Sequence, residues 1–94
     1  MAKRRTKKHV SSERAVPHVR AFLGQRVRDL RAQRGFSQER LGRGASLSGK
    51  FIGEVERGEK SISIDSLYRV SVALAVPLRQ LVDVPTGSRR PRRT

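Results

Sequence analysis

The chain has 94 residues, and its 22 Lys and Arg against 8 Asp and Glu give a formal net charge of +14. That length is room for one domain, and that charge asks for a polyanionic partner, either nucleic acid or an acidic membrane surface. The lack of cysteine excludes a disulfide framework, a thiolate zinc site and a Cys nucleophile.

Other classes fall away on similar grounds. His9 and His18 have no carboxylate partners at ligand spacing, so neither a metal nor any other cofactor is expected. No apolar run approaches the roughly 18 residues of a membrane span, and the basic N-terminus lacks the apolar stretch of a secretory signal. A cytoplasmic, nucleoid-associated location without a membrane partner is therefore expected. Ser, His and acidic residues form no nucleophile motif, and the glycines do not form a P-loop. No enzymatic activity and no small-molecule ligand are expected.

Charge and punctuation divide the chain into three. Residues 1–16 hold Lys3, Arg4, Arg5, Lys7, Lys8 and Arg14 against Glu13 alone, and residues 84–94 hold Arg89, Arg90, Arg92 and Arg93 among Pro85, Gly87 and Pro91. Neither end has enough apolar residues to offset ordering entropy, so both are expected to be disordered basic arms without a ligand. Residues 17–83 read as helices. Pro17 suits a first helical turn, Val19, Leu23, Val27 and Leu30 recur at helical spacing, and Gly35 ends the element.

Two short helices follow. The first has Ser37 as N-cap and Leu41 and Gly42 on its inner side, and it breaks at Gly44-Ala45-Ser46. The second starts at Ser48, turns Ile52 and Val55 inward and stops at Gly58. A pair like this, packed steeply, presents one face of its second helix to the major groove of DNA. Ser63 then caps a fourth helix with Ile64, Leu67, Val70, Ser71 and Leu74 on one face, ending before Pro77. A short last helix spans 78–82. The SISI run at 61–64 alternates like a strand but is too short for a sheet. The prediction is an all-α, compact five-helix domain with a helix-turn-helix, flanked by basic disordered arms.

The segments LGQRVRDLR (23–31), GFSQERL (35–41) and FIGEVERG (51–58), followed by IDSL (64–67) and LAVPL (74–78), resemble the lambda repressor/Cro-type (XRE-type) helix-turn-helix family. The resemblance implies a sequence-specific transcriptional regulator that binds double-stranded DNA as a homodimer. It would be a small phage-type repressor, a restriction–modification controller or an antitoxin, and ERGEKSIS (56–63) is somewhat similar to the controllers. The alternatives are a nucleoid-structuring protein of low sequence specificity, or a protein- or RNA-binding adaptor on the same fold.

Site residues follow from the resemblance. Gln38 and Ser48 match phosphate-contacting positions at helix starts, where free backbone N–H groups also donate, and Arg57 and Lys60 are assigned to phosphate as well. The base-facing positions of helix 48–56 fall at Gly49, Lys50, Gly53 and Glu54. Lys50 is suited to guanine O6 and N7, and Glu54 to cytosine N4. The two glycines bring no side chain to a base, which implies close backbone approach and affinity more than specificity. Arg31 and Glu56 match a structural ion pair. Ser46 replaces a usual turn glycine and Gly42 a usual alanine. Leu78, Leu81, Val82 and Val84 form a small apolar surface suited either to a symmetric dimer contact or to capping the core, and the arms are expected to extend the phosphate footprint.

Overall fold

The computed structural model describes residues 3–84, with side chains from Ala15 onward, and apolar residues at three- and four-residue spacing give the core-facing rows of its helices. The five helices among the described residues are α1 (Lys3–Gln33), α2 (Gln38–Ala45), α3 (Gly49–Glu56), α4 (Ile64–Leu74) and α5 (Arg79–Val82). The arm residues Lys3, Arg4, Arg5, Lys7 and Lys8 lie outside the described side chains. Arg89, Arg90, Arg92 and Arg93 lie outside the described residues altogether.

One core joins the helices: Val27 and Leu30 of α1, Leu41 and Ala45 of α2, Ile52 of α3, Leu67, Val70 and Leu74 of α4, and Leu81 of α5. Three expectations change here. Pro17 lies inside α1 rather than in its first turn. No glycine or further proline interrupts the chain before it, and Lys, Arg, Ala and Glu are good helix formers there. Val19 is 42% exposed and Ile64 61% exposed, so the inward rows begin at Leu23 and at Leu67.

Local chemistry sets the helix ends. The hydroxyls of Ser37, Ser48 and Ser63 each accept from the backbone N–H three residues on, at 3.0 Å, satisfying one of the free donors at each start. Helices α1 to α4 all close on a residue with left-handed backbone: Gly35 (φ 71°), Ser46 (φ 59°), Gly58 (φ 75°) and Ala75 (φ 60°). In every case the next N–H bonds back five residues, at 2.8–3.1 Å: Phe36 to Arg31, Leu47 to Gly42, Glu59 to Glu54 and Val76 to Ser71. This is the Schellman arrangement, which favours glycine because a Cβ is strained there. Ser46 and Ala75 accept that strain.

Arginine side chains tie these ends across the fold. Arg34 Nε donates to Leu74 O at 2.7 Å, Arg69 Nε to Ala45 O at 2.9 Å and Arg26 Nη1 to Gln80 O at 2.8 Å. Carbonyls at helix C-termini lack intrahelical donors and carry the negative end of the helix dipole, so cations belong there. Where α1 crosses the end of α3, a Cβ on Gly24 would collide with the carbonyl oxygens of Val55 and Glu56. Only glycine permits that crossing.

Candidate nucleic-acid interface

Helices α2 and α3 and their turn occupy residues 38–56, with Ser46 at the left-handed corner. Leu41, Gly42 and Ala45 of α2 and Ile52, Gly53, Val55 and Glu56 of α3 are buried. Gly42 faces the start of α3, where a Cβ would meet the backbone of Leu47 to Gly49, so the small residue expected there is required by the tight turn. The row left outward on α3 and its exit is Lys50, Glu54 and Arg57.

Gly49 and Gly53 stand beside the outward row, on the side of α3 nearest α2. A Cβ at 49 would fall 3.0 Å from Glu39 Cα, and one at 53 would fall 3.2 Å from both Gln38 Oε1 and Arg57 Nη1. Residues 49 and 53 are one helical turn apart, and their common row packs on the first turn of α2. Glycine there allows the close helix–helix approach.

The outward row pairs with itself. Lys50 Nζ donates to Glu54 Oε2 at 3.1 Å, and Arg57 Nε to Glu59 Oε2 at 2.9 Å. The hydrogen bond from Arg57 holds the Glu59 carboxyl below its usual range against the opposing effect of desolvation, with the charges of Arg57, Lys60 and Lys50 assisting. Arg57 is raised in turn, chiefly by its hydrogen bond to Glu59. Lys60 is exposed. An exposed i,i+4 pair is worth only about 0.3–0.5 kcal/mol. Lys50 and Glu54 are therefore held in place without being locked away.

Behind this row lies a buried polar knot. Glu56 is 3% exposed at its side chain and Arg31 16%. Arg31 donates through Nε to Glu56 Oε2 at 2.6 Å, through Nη2 to Glu56 Oε1 at 3.0 Å, and through Nη1 to Phe36 O at 2.8 Å. The Arg31 guanidinium is raised mainly by its hydrogen bond to Glu56, against the desolvation that lowers it. Gln38 Nε2 donates to Glu56 Oε1 at 3.0 Å, so the side chain at the start of α2 is oriented by α1 and α3 together. The bond from Gln38 was not anticipated from the sequence, and neither was Arg40, whose guanidinium sits 4.4 Å from the centre of the Phe36 ring.

Of the candidate dimer surface, Leu81 is fully buried in the core, Leu78 packs against it, and Val82 stays exposed. Leu81 therefore caps the core, one of the two uses to which that apolar surface is suited, and α5 lies against α1. On α4, Ile64, Tyr68 and Val72 are 61%, 58% and 60% exposed and stand at i, i+4 and i+8, an apolar stripe along its outer face.

Comparison with known proteins gives four findings. A helix-turn-helix family model matches residues 27–81. The chain is 34% identical over 70 residues to the control protein C.BamHI of Bacillus amyloliquefaciens, covering 73% of this chain and 86% of that one. It is 43% identical over 68 residues to an uncharacterized transcriptional regulator in the ATPase CF(0) region of Rhodospirillum rubrum, covering 72% of this chain and 63% of that protein. Among solved structures, the restriction-modification controller protein C.AhdI of Aeromonas hydrophila matches with a TM-score of 0.65 and 35% identity, over 66% of this chain and 94% of that one.

Proposed function

The chain belongs to the helix-turn-helix family, and on that premise we propose that it is a sequence-specific transcriptional regulator that binds operator DNA as a homodimer, with α3 in the major groove. It acts by binding alone, in the cytoplasm on nucleoid DNA, and catalyses no reaction. The observation that carries this reading is the capped pair α2–α3, which offers Lys50 and Glu54 outward beside two helix starts with free N–H groups.

In this reading Lys50 and Glu54 exchange their mutual bond for guanine and cytosine edges. Gln38 has one Nε2–H on Glu56 and offers the other to a phosphate, with Ser48, Arg57 and Lys60 completing the backbone contacts. Few base readers and many phosphate donors make affinity the larger part of binding, and the arms add to it. A second copy covers the stripe Ile64, Tyr68 and Val72, setting the two α3 helices about 34 Å apart, one turn of DNA. Similarity to two controller proteins favours that kind of regulator.

Selection of binding sites from a random duplex pool at two salt concentrations tests this. One enriched palindrome supports the reading, and the absence of enrichment refutes it. With about eight phosphates neutralised per protomer, log K should fall against log salt with a slope near −7.

A further inference from the structure

Away from the α2–α3 face, α1 and the loop after α3 enclose a groove of about 290 Å³. Val16, Val19 and Leu23 line it from α1, Val55 from α3 and Ile62 from the loop. Two cations, Arg20 and Lys60, also line it. The Nε of Arg20 is buried and has no hydrogen-bond partner among the described residues, so the fold leaves the Arg20 charge available to an anion.

We propose that this groove binds a small amphipathic carboxylate, an aliphatic chain lying on the valines with its carboxylate on Arg20 and Lys60. Mostly apolar lining with a few convergent polar groups is the usual make-up of a small-molecule site, and this volume is at the lower end of the usual range. The groove is spanned by two turns of α1 and one loop, far less than the roughly 800 Å² per partner of a stable protein interface. The chain's own C-terminal tail is excluded by charge, since Arg89, Arg90, Arg92 and Arg93 have the same sign as Arg20 and Lys60. A carboxylate pairs with the Arg20 and Lys60 cations in the charge-assisted form that binds most strongly.

The groove also touches the DNA-binding element, through Val55 of α3 and through Lys60. If Lys60 contacts phosphate, as in the function proposed above, a carboxylate that engages Lys60 competes with DNA and the two ligands oppose each other reciprocally.

Octanoate is the probe, titrated into the full-length protein without DNA and followed by ¹⁵N–¹H NMR. Saturable shifts confined to amides of residues 15–23 and 55–62 are expected, with at least tenfold weaker binding of 1-octanol and a tenfold loss in Arg20→Met. Arg43→Met, which changes an exposed cation on α2, should bind as wild type does. Equal binding of octanol, shifts scattered over every basic surface, or undiminished binding by Arg20→Met would each overturn the site. A second titration follows duplex DNA by fluorescence anisotropy. Saturating octanoate should weaken DNA binding at least threefold in wild type and leave Arg20→Met unaffected. Since the NMR experiment contains no DNA, its result stands or falls independently of the DNA-binding reading.

Discussion

Replacing Arg31 by alanine removes three hydrogen bonds at once and leaves the Glu56 carboxylate, 3% exposed, with Gln38 as its remaining side-chain partner. Breaking a buried pair from one side costs about 3–5 kcal/mol, because the charge left behind has been taken out of water and not compensated. Arg31 itself keeps some contact with solvent, which places the expected loss at the lower end, about 3 kcal/mol. For a domain of this size each kcal/mol moves Tm by roughly 4–8 °C, so melting followed by circular dichroism should fall by roughly 12–24 °C. Glu56→Gln keeps the shape and leaves no buried anion, so it should cost about half as much. The double variant Arg31→Met with Glu56→Leu should recover much of the loss, as apolar replacements of buried pairs often do. The reasoning fails if Arg31→Ala melts within a few degrees of wild type, or if Glu56→Gln is the more damaging single change. The rival role for Arg31, a phosphate contact, has its own signature: unchanged melting with weakened DNA binding.

Gly24→Ala would gain about 1 kcal/mol on an open helix, yet here it meets two backbone carbonyls. Overpacking should win, with a net loss of at least about 2 kcal/mol in urea unfolding, and a more stable variant would refute the crossing. The left-handed caps offer a matched pair: Ala75→Gly should gain about 0.5–1 kcal/mol, and Gly35→Ala, with open space around the added methyl, should lose about as much. Lys50→Ala should melt as wild type does while losing about 1–3 kcal/mol of discrimination at one base pair in operator competition. Uniform weakening on every sequence would make Lys50 a phosphate contact. Deleting residues 1–16 and 84–94 should flatten the salt slope and keep the preferred sequence. Loss of that preference would assign base reading to the arms.

What was legible in the chain follows the range of each interaction. Ser37, Ser48 and Ser63 cap their helices, and Gly35 and Gly58 end theirs, because capping and stopping are decided within a few residues. Ala75 has the same left-handed backbone without a residue type that announces it. That Gly49 and Gly53 pack on the first turn of α2 had no signal, because a helix's own periodicity does not say which row meets its neighbour. That depends on the crossing angle and on Gln38 and Glu39 arriving from α2. Whether Leu81 capped the core or faced a partner was open for the same reason. The juxtaposition of Arg31 and Glu56, 25 residues apart, was accessible only through family resemblance, since nothing local links them. Arginine bonds to carbonyls had no signal at all, because every residue carries the acceptor.

Those arginine tethers separate two properties that net charge alone would merge. Arg26, Arg34 and Arg69 bind carbonyl dipoles, and salt screens a charge–dipole contact at close range far less than it displaces protein from phosphates. Raising the salt should therefore strip bound DNA from a molecule that remains folded. Lysine is no substitute at these three positions, since it lacks the rigid fork that reaches a carbonyl side-on. Exchanging them for lysine would keep the titration against salt and forfeit the melting temperature, so a protein engineered by charge count alone would lose its fold with its formal charge intact.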